Sequence, residues 1–160
     1  MGASRTTFSL RFIDNGRAHD DLVLRLGKRE WICDSYYLMI DQGLLADRND
    51  FQKVRIVLER LLQQWLNTVP ELADAQTAYL PYDFSDQYTG WIRCRCSGES
   101  LEITPGSSMI EAWRILPSDI GQLLLDLPDF RSTDETIIMA RNEFLQLITD
   151  SLDFAAASIQ

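Results

Sequence analysis

These 160 residues contain a single histidine, His19, and three cysteines, Cys33, Cys94 and Cys96. An odd thiol count without framework spacing excludes a disulfide scaffold. Cys94 and Cys96 stand two apart, too close for a relaxed bridge within one strand. One imidazole beside them leaves no Cys/His set for a structural zinc. Free thiols suit a reducing cytoplasm, where the chain is expected to reside. No stretch approaches the ~18 apolar residues of a membrane span, so no membrane association is expected. Met1–Thr7 lacks the apolar core of a secretory signal. Catalytic signatures are missing too: there is no G-x-S-x-G, no P-loop, no G-x-G-x-x-G after a strand and no H-E-x-x-H. The common enzyme classes lose support, and no cofactor is expected. Lysine is scarce, Lys28 and Lys53 against thirteen arginines, a compositional bias that carries no function.

What is present is an ordinary globular composition, 46% hydrophobic, 24% charged and 10% aromatic. It implies one domain over residues 1–160, long enough to bury roughly 68–70% of its extended-chain surface without a staple. The net charge of −9 is unevenly spread. Residues 1–70 carry ten Lys/Arg and nine Asp/Glu, whereas residues 71–160 carry five and fifteen. An acidic half repels phosphate backbones and anionic lipids and attracts cationic surfaces. Nucleic-acid binding is disfavoured unless the N-terminal bases gather on one face. A basic protein partner is the favoured alternative to an excess that serves solubility alone.

Apolar residues alternate at Phe8, Leu10 and Phe12, and again at Leu22, Leu24 and Leu26, on either side of Asn15-Gly16. That period is a β-hairpin. A two-residue loop would set Leu10 against Asp21 and turn the leucines to the wrong face, so a longer, odd-numbered loop or a bulge is required. Trp31–Ile40 leans towards a strand on its aromatic and β-branched content. Residues 50–67 read as a helix, capped by Asp50, with Val54, Val57, Leu58, Leu61, Leu62 and Trp65 on one face. Between 77 and 115 the chain reads as sheet. There a Gly98-Glu99 turn pairs Cys96 with Leu101, Cys94 with Ile103 and Arg95 with Glu102. Ile110–Leu116 is expected as a further strand, and Ile120–Asp126 as a short helix capped by Ser118-Asp119. Ser132-Thr133-Asp134-Glu135 has the form of a capping box and predicts a helix over 133–153, with Ile137, Ala140, Phe144, Ile148 and Leu152 in one stripe. The tail from Ala155 onward is expected to fray.

The resulting fold class is α+β: an antiparallel sheet, built from the N-terminal hairpin and the central meander, packed against helices at about 50–67 and 133–153.

Candidate sites are few. Cys94 and Cys96 share a strand face with Ile92, Leu101 and Ile103, which makes them core thiols rather than a metal or redox pair. His19 stands beside Asp20 and Asp21 in the hairpin loop, a solvated turn with no nucleophile near it in sequence. Asp47, Asn49 and Asp50 lack the glycine and glutamate of an EF-hand loop, so no metal is expected. Residues 79–91 are the most unusual stretch, with five aromatic rings and two aspartates and no base. Rings supply large contact area at low entropy cost, and carboxylates accept Arg and Lys donors. Tyr82, Asp83, Asp86, Tyr88 and Trp91 are therefore the candidate partner-binding residues. The other reading of the stretch is rings covering a sheet edge, with the aspartates capping turns.

The function this favours is a non-catalytic protein-binding module, resembling nuclease inhibitors and immunity proteins only in charge and size. A small-ligand protein or enzyme with a pocket between sheet and helices is the alternative. A structural subunit or homo-oligomer, marked by leftover apolar residues such as Ile138 or Leu147, is the third.

Overall fold

The computed structural model describes residues 7–157 and 159. The expectations for Met1–Thr6, Ser158 and Gln160 lie outside the described residues. Eight antiparallel strands and three α-helices form an α+β fold with two sheets. The hairpin and the meander therefore belong to separate sheets rather than one.

The smaller sheet is β1 (Phe8–Phe12), β2 (Leu22–Leu26) and β3 (Arg29–Cys33). Leu10 lies opposite Leu24, the register that the long loop allows, and the alternate residues of β1 and β2 all face the core. Pairing stops at Cys33, and Tyr36–Met39 form a one-turn helix, α1, where a continued strand was expected. The cause is a buried carboxylate. Asp21 accepts the Ser35 N–H at 2.9 Å and the Ser35 hydroxyl at 2.8 Å, which turns the chain out of the sheet.

Helix α2 (Phe51–Thr68) is the centre of the core. The Asp50 carboxylate accepts the Lys53 N–H at 2.9 Å, satisfying one of the unpaired donors of the first turn. Its apolar stripe is buried from Val54 to Trp65. The Phe8 ring packs 5.9 Å from that of Trp65 and 5.1 Å from that of Phe144. Trp65 Nε1 has no hydrogen-bond partner among the described residues, so this ring is held by packing alone. Beyond Thr68 a 3₁₀ turn, Val69–Glu71, absorbs Pro70.

Lys53 is also fully buried, against the usual rule for lysine. Its Nζ donates to the carbonyls of Asp41 and, at 2.9 Å, Arg48, so the ammonium fastens the loop between α1 and α2. The Asp41 carboxylate, itself buried, accepts four donors: the N–H groups of Gly43 (2.8 Å), Leu44 (3.0 Å) and Ser118 (2.8 Å), and the Ser118 hydroxyl (2.8 Å).

The larger sheet contains β4 (Thr77–Phe84), β5 (Thr89–Ser97), β6 (Ser100–Ser108), β7 (Arg131–Ser132) and β8 (Ile137–Ala140). The β5–β6 register is the expected one, Cys96 with Leu101, Cys94 with Ile103 and Arg95 with Glu102, the last pair 3.0 Å apart. Gly98 opens the turn at φ +61°, a conformation glycine takes without strain. Both cysteines are buried, and burial raises the Cys94 thiol well above its ordinary pKa.

Four local expectations fail, three of them through competition from distant partners. The capping-box segment does not start a helix. Ser132 pairs in β7, and Ile137–Ala140 pair with Ser100–Ile103 along the free edge of β6, so helix α3 runs Arg141–Ala157. A ladder of backbone hydrogen bonds, filled by β-branched Ile137 and Ile138, outweighs a cap. Residues 155–157 remain helical instead of fraying. With both sides of β6 taken, Ile110–Leu116 finds no strand partner and turns instead through a 3₁₀ helix at Ala112–Arg114. The helix expected over 120–126 shortens to a 3₁₀ turn, Gly121–Leu124, and Ser118 bonds Asp41 rather than capping it.

Helix α3 covers the outer edge of β1, where the Leu10 N–H donates to Ser151 Oγ at 3.1 Å. The chain from 109 to 130 crosses the other face of the larger sheet. Phe130 presses against Gly106, where a Cβ would meet its ring at 2.3 Å, and lies tilted against the Tyr79 ring with centroids 5.6 Å apart.

The Lys53 arrangement predicts a graded stability loss. Lys53→Ala leaves a cavity and two orphaned carbonyls, and should cost about 2–5 kcal/mol in urea unfolding. Lys53→Met keeps the volume and removes a buried charge, and should cost distinctly less. Equal losses in the two variants would show that the hydrogen bonds, not the packing, hold the loop.

Candidate functional site

The loop joining β1 to β2 is rigid for its composition. Asp14 and Asn15 each accept a backbone N–H two residues on, and Asn15 Nδ2 donates to the His19 carbonyl at 2.8 Å. Ala18 and Asp20, either side of His19, hold φ values of +61° and +57°, a left-handed conformation that costs a non-glycine residue of order 1–2 kcal/mol. The Asp20 N–H donates to Asp34 Oδ1 at 2.8 Å and anchors the loop tip. The result fixes the His19 ring nearly parallel to that of Tyr36, 6.3 Å away, with Nδ1 3.3 Å from Asp34 Oδ2.

His19 and Tyr36 form one wall of an open cleft of about 500 Å³. Asp34 and α1 supply Asp34, Tyr36, Tyr37 and Ile40; the end of β4 and the turn after it supply Phe84, Ser85 and Asp86; the 3₁₀ turn supplies Trp113. Tyr37 meets Tyr36 edge to face at 5.3 Å. Its hydroxyl donates a short hydrogen bond to Asp86 Oδ1. That bond, then burial and the adjacent charge, push the Tyr37 phenol up to about 12. Trp113 is 67% exposed, and its Nε1 donates to Glu111 at 3.0 Å, which holds the indole at the rim. A second hollow of about 390 Å³, beside Asn67 and Gln76, has Glu71 as its one ionisable lining group and no aromatic ring.

Behind the cleft, Asp83 sits half-buried at a bulge in β4, opposite Gly90. A Cβ on residue 90 would meet that of Asp83 at 2.8 Å, so glycine is what lets the bulge close. Burial first, then the charge of Asp34, raises the Asp83 carboxyl above the ordinary carboxylate range, against the hydrogen bonds it takes from Cys33 and Tyr88. Burial likewise pushes up the Cys33 thiol, which makes it a poor nucleophile.

The five residues singled out from sequence do not form one surface. Asp86 lines the cleft and Tyr88 is exposed, its hydroxyl directed to Asp83. Tyr82 is buried against Trp31, with ring centroids 6.2 Å apart. Trp91 is completely buried, its Nε1 donating to Thr89 Oγ1 at 2.6 Å. The cleft instead gathers His19, Asp34, Tyr36, Tyr37 and Trp113. The signal for them in the sequence was the Tyr36-Tyr37 doublet two residues after Asp34, and the one histidine in a turn.

Chemically, the cleft offers carboxylates and aromatic faces, and among the described residues His19 is the one basic side chain lining it. Ser85 lines it without a hydrogen bond to His19 among the described residues, so no nucleophile–base pair is assembled. Among the described residues no group of three His, Cys, Asp or Glu could hold a metal ion. The N-terminal bases are largely engaged elsewhere: Arg17 with Asp20, Arg25 with Glu30, Arg29 with Asp134, Arg48 with Asp50 and Arg55 with Asp14. Among the described residues no helix is long and apolar enough to cross a membrane. No known protein family, curated protein or solved structure matches the chain.

Two titrations check this geometry. Asp86→Asn removes the charge that holds the Tyr37 proton, so near-ultraviolet difference spectra should show one phenol return towards about 10. The folded state binds the Asp83 proton more tightly than the unfolded chain, so the stability tied to that proton is lost as pH rises through the raised folded value. Asp83→Asn should accordingly unfold at higher urea than the parent at about pH 7, with the difference shrinking towards about pH 4. A constant difference across that window would exclude Asp83 as the source.

Proposed function

We propose that this chain is a non-catalytic binding module whose acidic, aromatic cleft receives a cationic side chain from a basic protein partner. The observation that supports it most directly is the convergence of Asp34 and Asp86 with the rings of Tyr36, Tyr37 and Trp113 in one open, rim-exposed hollow. Carboxylates in such a setting speed the encounter with a basic surface, and rings attract the arriving cation through their negative faces. The unbalanced charge adds to this, since the excess of carboxylates over residues 71–160 gives the molecule a net negative field that attracts basic surfaces. An inhibitor or immunity-type role, with carboxylates standing where a nucleic acid's phosphates would bind, fits that chemistry.

A second reading keeps the cleft and changes the ligand. The hollow is concave rather than flat, a shape that suits a small organic cation.

Both readings meet in one experiment. The parent and an Asp34→Asn/Asp86→Asn variant are immobilised at low ionic strength and exposed to a lysate of the source organism, and the association rate of any retained protein is then measured. The protein-partner reading expects a basic protein held by the parent, with association slowed about tenfold in the variant and in raised salt. Equal retention by both would remove the cleft from the interaction. Displacement of a small cation, with no protein retained, would establish the second reading.

A further inference from the structure

Taking the cation-binding reading as its premise, we infer that the cleft selects a guanidinium group, an arginine side chain of the partner, over a lysine ammonium or a quaternary ammonium.

Free acceptors and ring surface in the cleft decide the selectivity. Asp34 is already engaged on both oxygens, Oδ1 by the Asp20 N–H at 2.8 Å and Oδ2 by His19 Nδ1 at 3.3 Å, so it contributes charge more than hydrogen bonds. Asp86 Oδ1 is taken by the Tyr37 hydroxyl, which leaves Oδ2 for a ligand. Free acceptors are thus few. Ring surface is ample: the Trp113 indole is mostly exposed, and its Nε1 bond to Glu111 fixes the plane it presents.

A lysine ammonium is compact and strongly hydrated, and its three donors would find one good acceptor here. A quaternary ammonium has no donor and would leave Asp86 Oδ2 desolvated beside it. A guanidinium is weakly hydrated and planar, so it lies flat on an aromatic face while its edge donates to a single carboxylate. The same arrangement already occurs within this molecule. The Arg55 guanidinium lies 5.2 Å over the Phe12 ring and at the same time pairs with Asp14 at 3.3 Å. Arg93 lies 4.9 Å over Phe130.

The test uses three probes with the intact protein: a short uncharged peptide carrying one arginine, the same peptide with lysine, and tetramethylammonium. The reporter is the Trp113 indole N–H resonance, assigned by its loss in Trp113→Phe. The arginine peptide should shift it with an affinity about tenfold above that for the lysine peptide, and above that for tetramethylammonium. Asp86→Asn keeps an acceptor for Tyr37, so the fold stands, and should remove most of the arginine preference. Comparable shifts with lysine, or stronger binding of tetramethylammonium, would overturn the guanidinium assignment and leave the cation-binding reading intact. No shift with any probe would overturn both. An arginine preference that survives Asp86→Asn and Trp113→Leu together, read by calorimetry because that variant lacks the reporter indole, would place the binding elsewhere and end the assignment.

Discussion

The shape of the cleft depends on one buried carboxylate. Asp41 joins two pieces of chain 77 positions apart, accepting both the N–H and the hydroxyl of Ser118 while it caps its own loop at Gly43 and Leu44. The helix that carries Tyr36 and Tyr37 ends just before Asp41, and the turn that carries Trp113 ends just before Ser118. Hydrogen bonds inside the protein therefore hold these two walls in place, alongside the exposed Tyr37–Asp86 bond. Four donors on one carboxylate approach its full capacity, which is what allows a charge to remain out of water. Lys53 completes the arrangement from the other side through the Asp41 carbonyl. Asp21 performs the matching task at the start of the helix through Ser35. Polar groups buried in this way specify one arrangement among several that apolar packing alone would tolerate.

Above this frame, the residues proposed to meet a ligand are preorganised by their neighbours. Tyr37 is bound to Asp86, Trp113 to Glu111, and His19 to Asp34 with its loop held in left-handed backbone on both sides. Rings and carboxylates that are already ordered lose little freedom when a partner arrives, so more of the contact energy is realised as affinity. Strain at Ala18 and Asp20, two of the four non-glycine residues at positive φ among the described residues, falls on the loop that presents the histidine.

Sequence reasoning succeeded where the determinants were local. Cys94, Cys96, Leu101, Ile103 and the Arg95–Glu102 pair all lie within ten residues of one glycine turn, and each supports the same register. The period of α2 was equally self-contained. Reasoning failed where two local signals were compatible and a remote partner decided between them. Ser132–Glu135 is a sound helix start, yet β6 offered Ile137 and Ile138 an open edge. The site was legible only in part. The segment 79–91 did lead to Asp86, but Trp91 vanished beneath the chain from 109 to 130, whose course no local pattern announced. His19, Asp34 with Tyr36, and Trp113 come from three separate stretches, and packing, not spacing, unites them.

The bond from the Leu10 N–H to Ser151 has a meaning beyond its own strength. β1 is the outermost strand of its sheet, and such an edge ordinarily invites another chain to add a strand of its own. Here a helix lies along that border, and a serine hydroxyl occupies a donor that an intruding strand would seek. The opposite policy holds at β8, where Ile138 stands 69% exposed on a four-residue strand too short to template much pairing. The β1 border is guarded by cover and the β8 border by brevity, so resistance to strand addition at β1 rests on α3 staying docked.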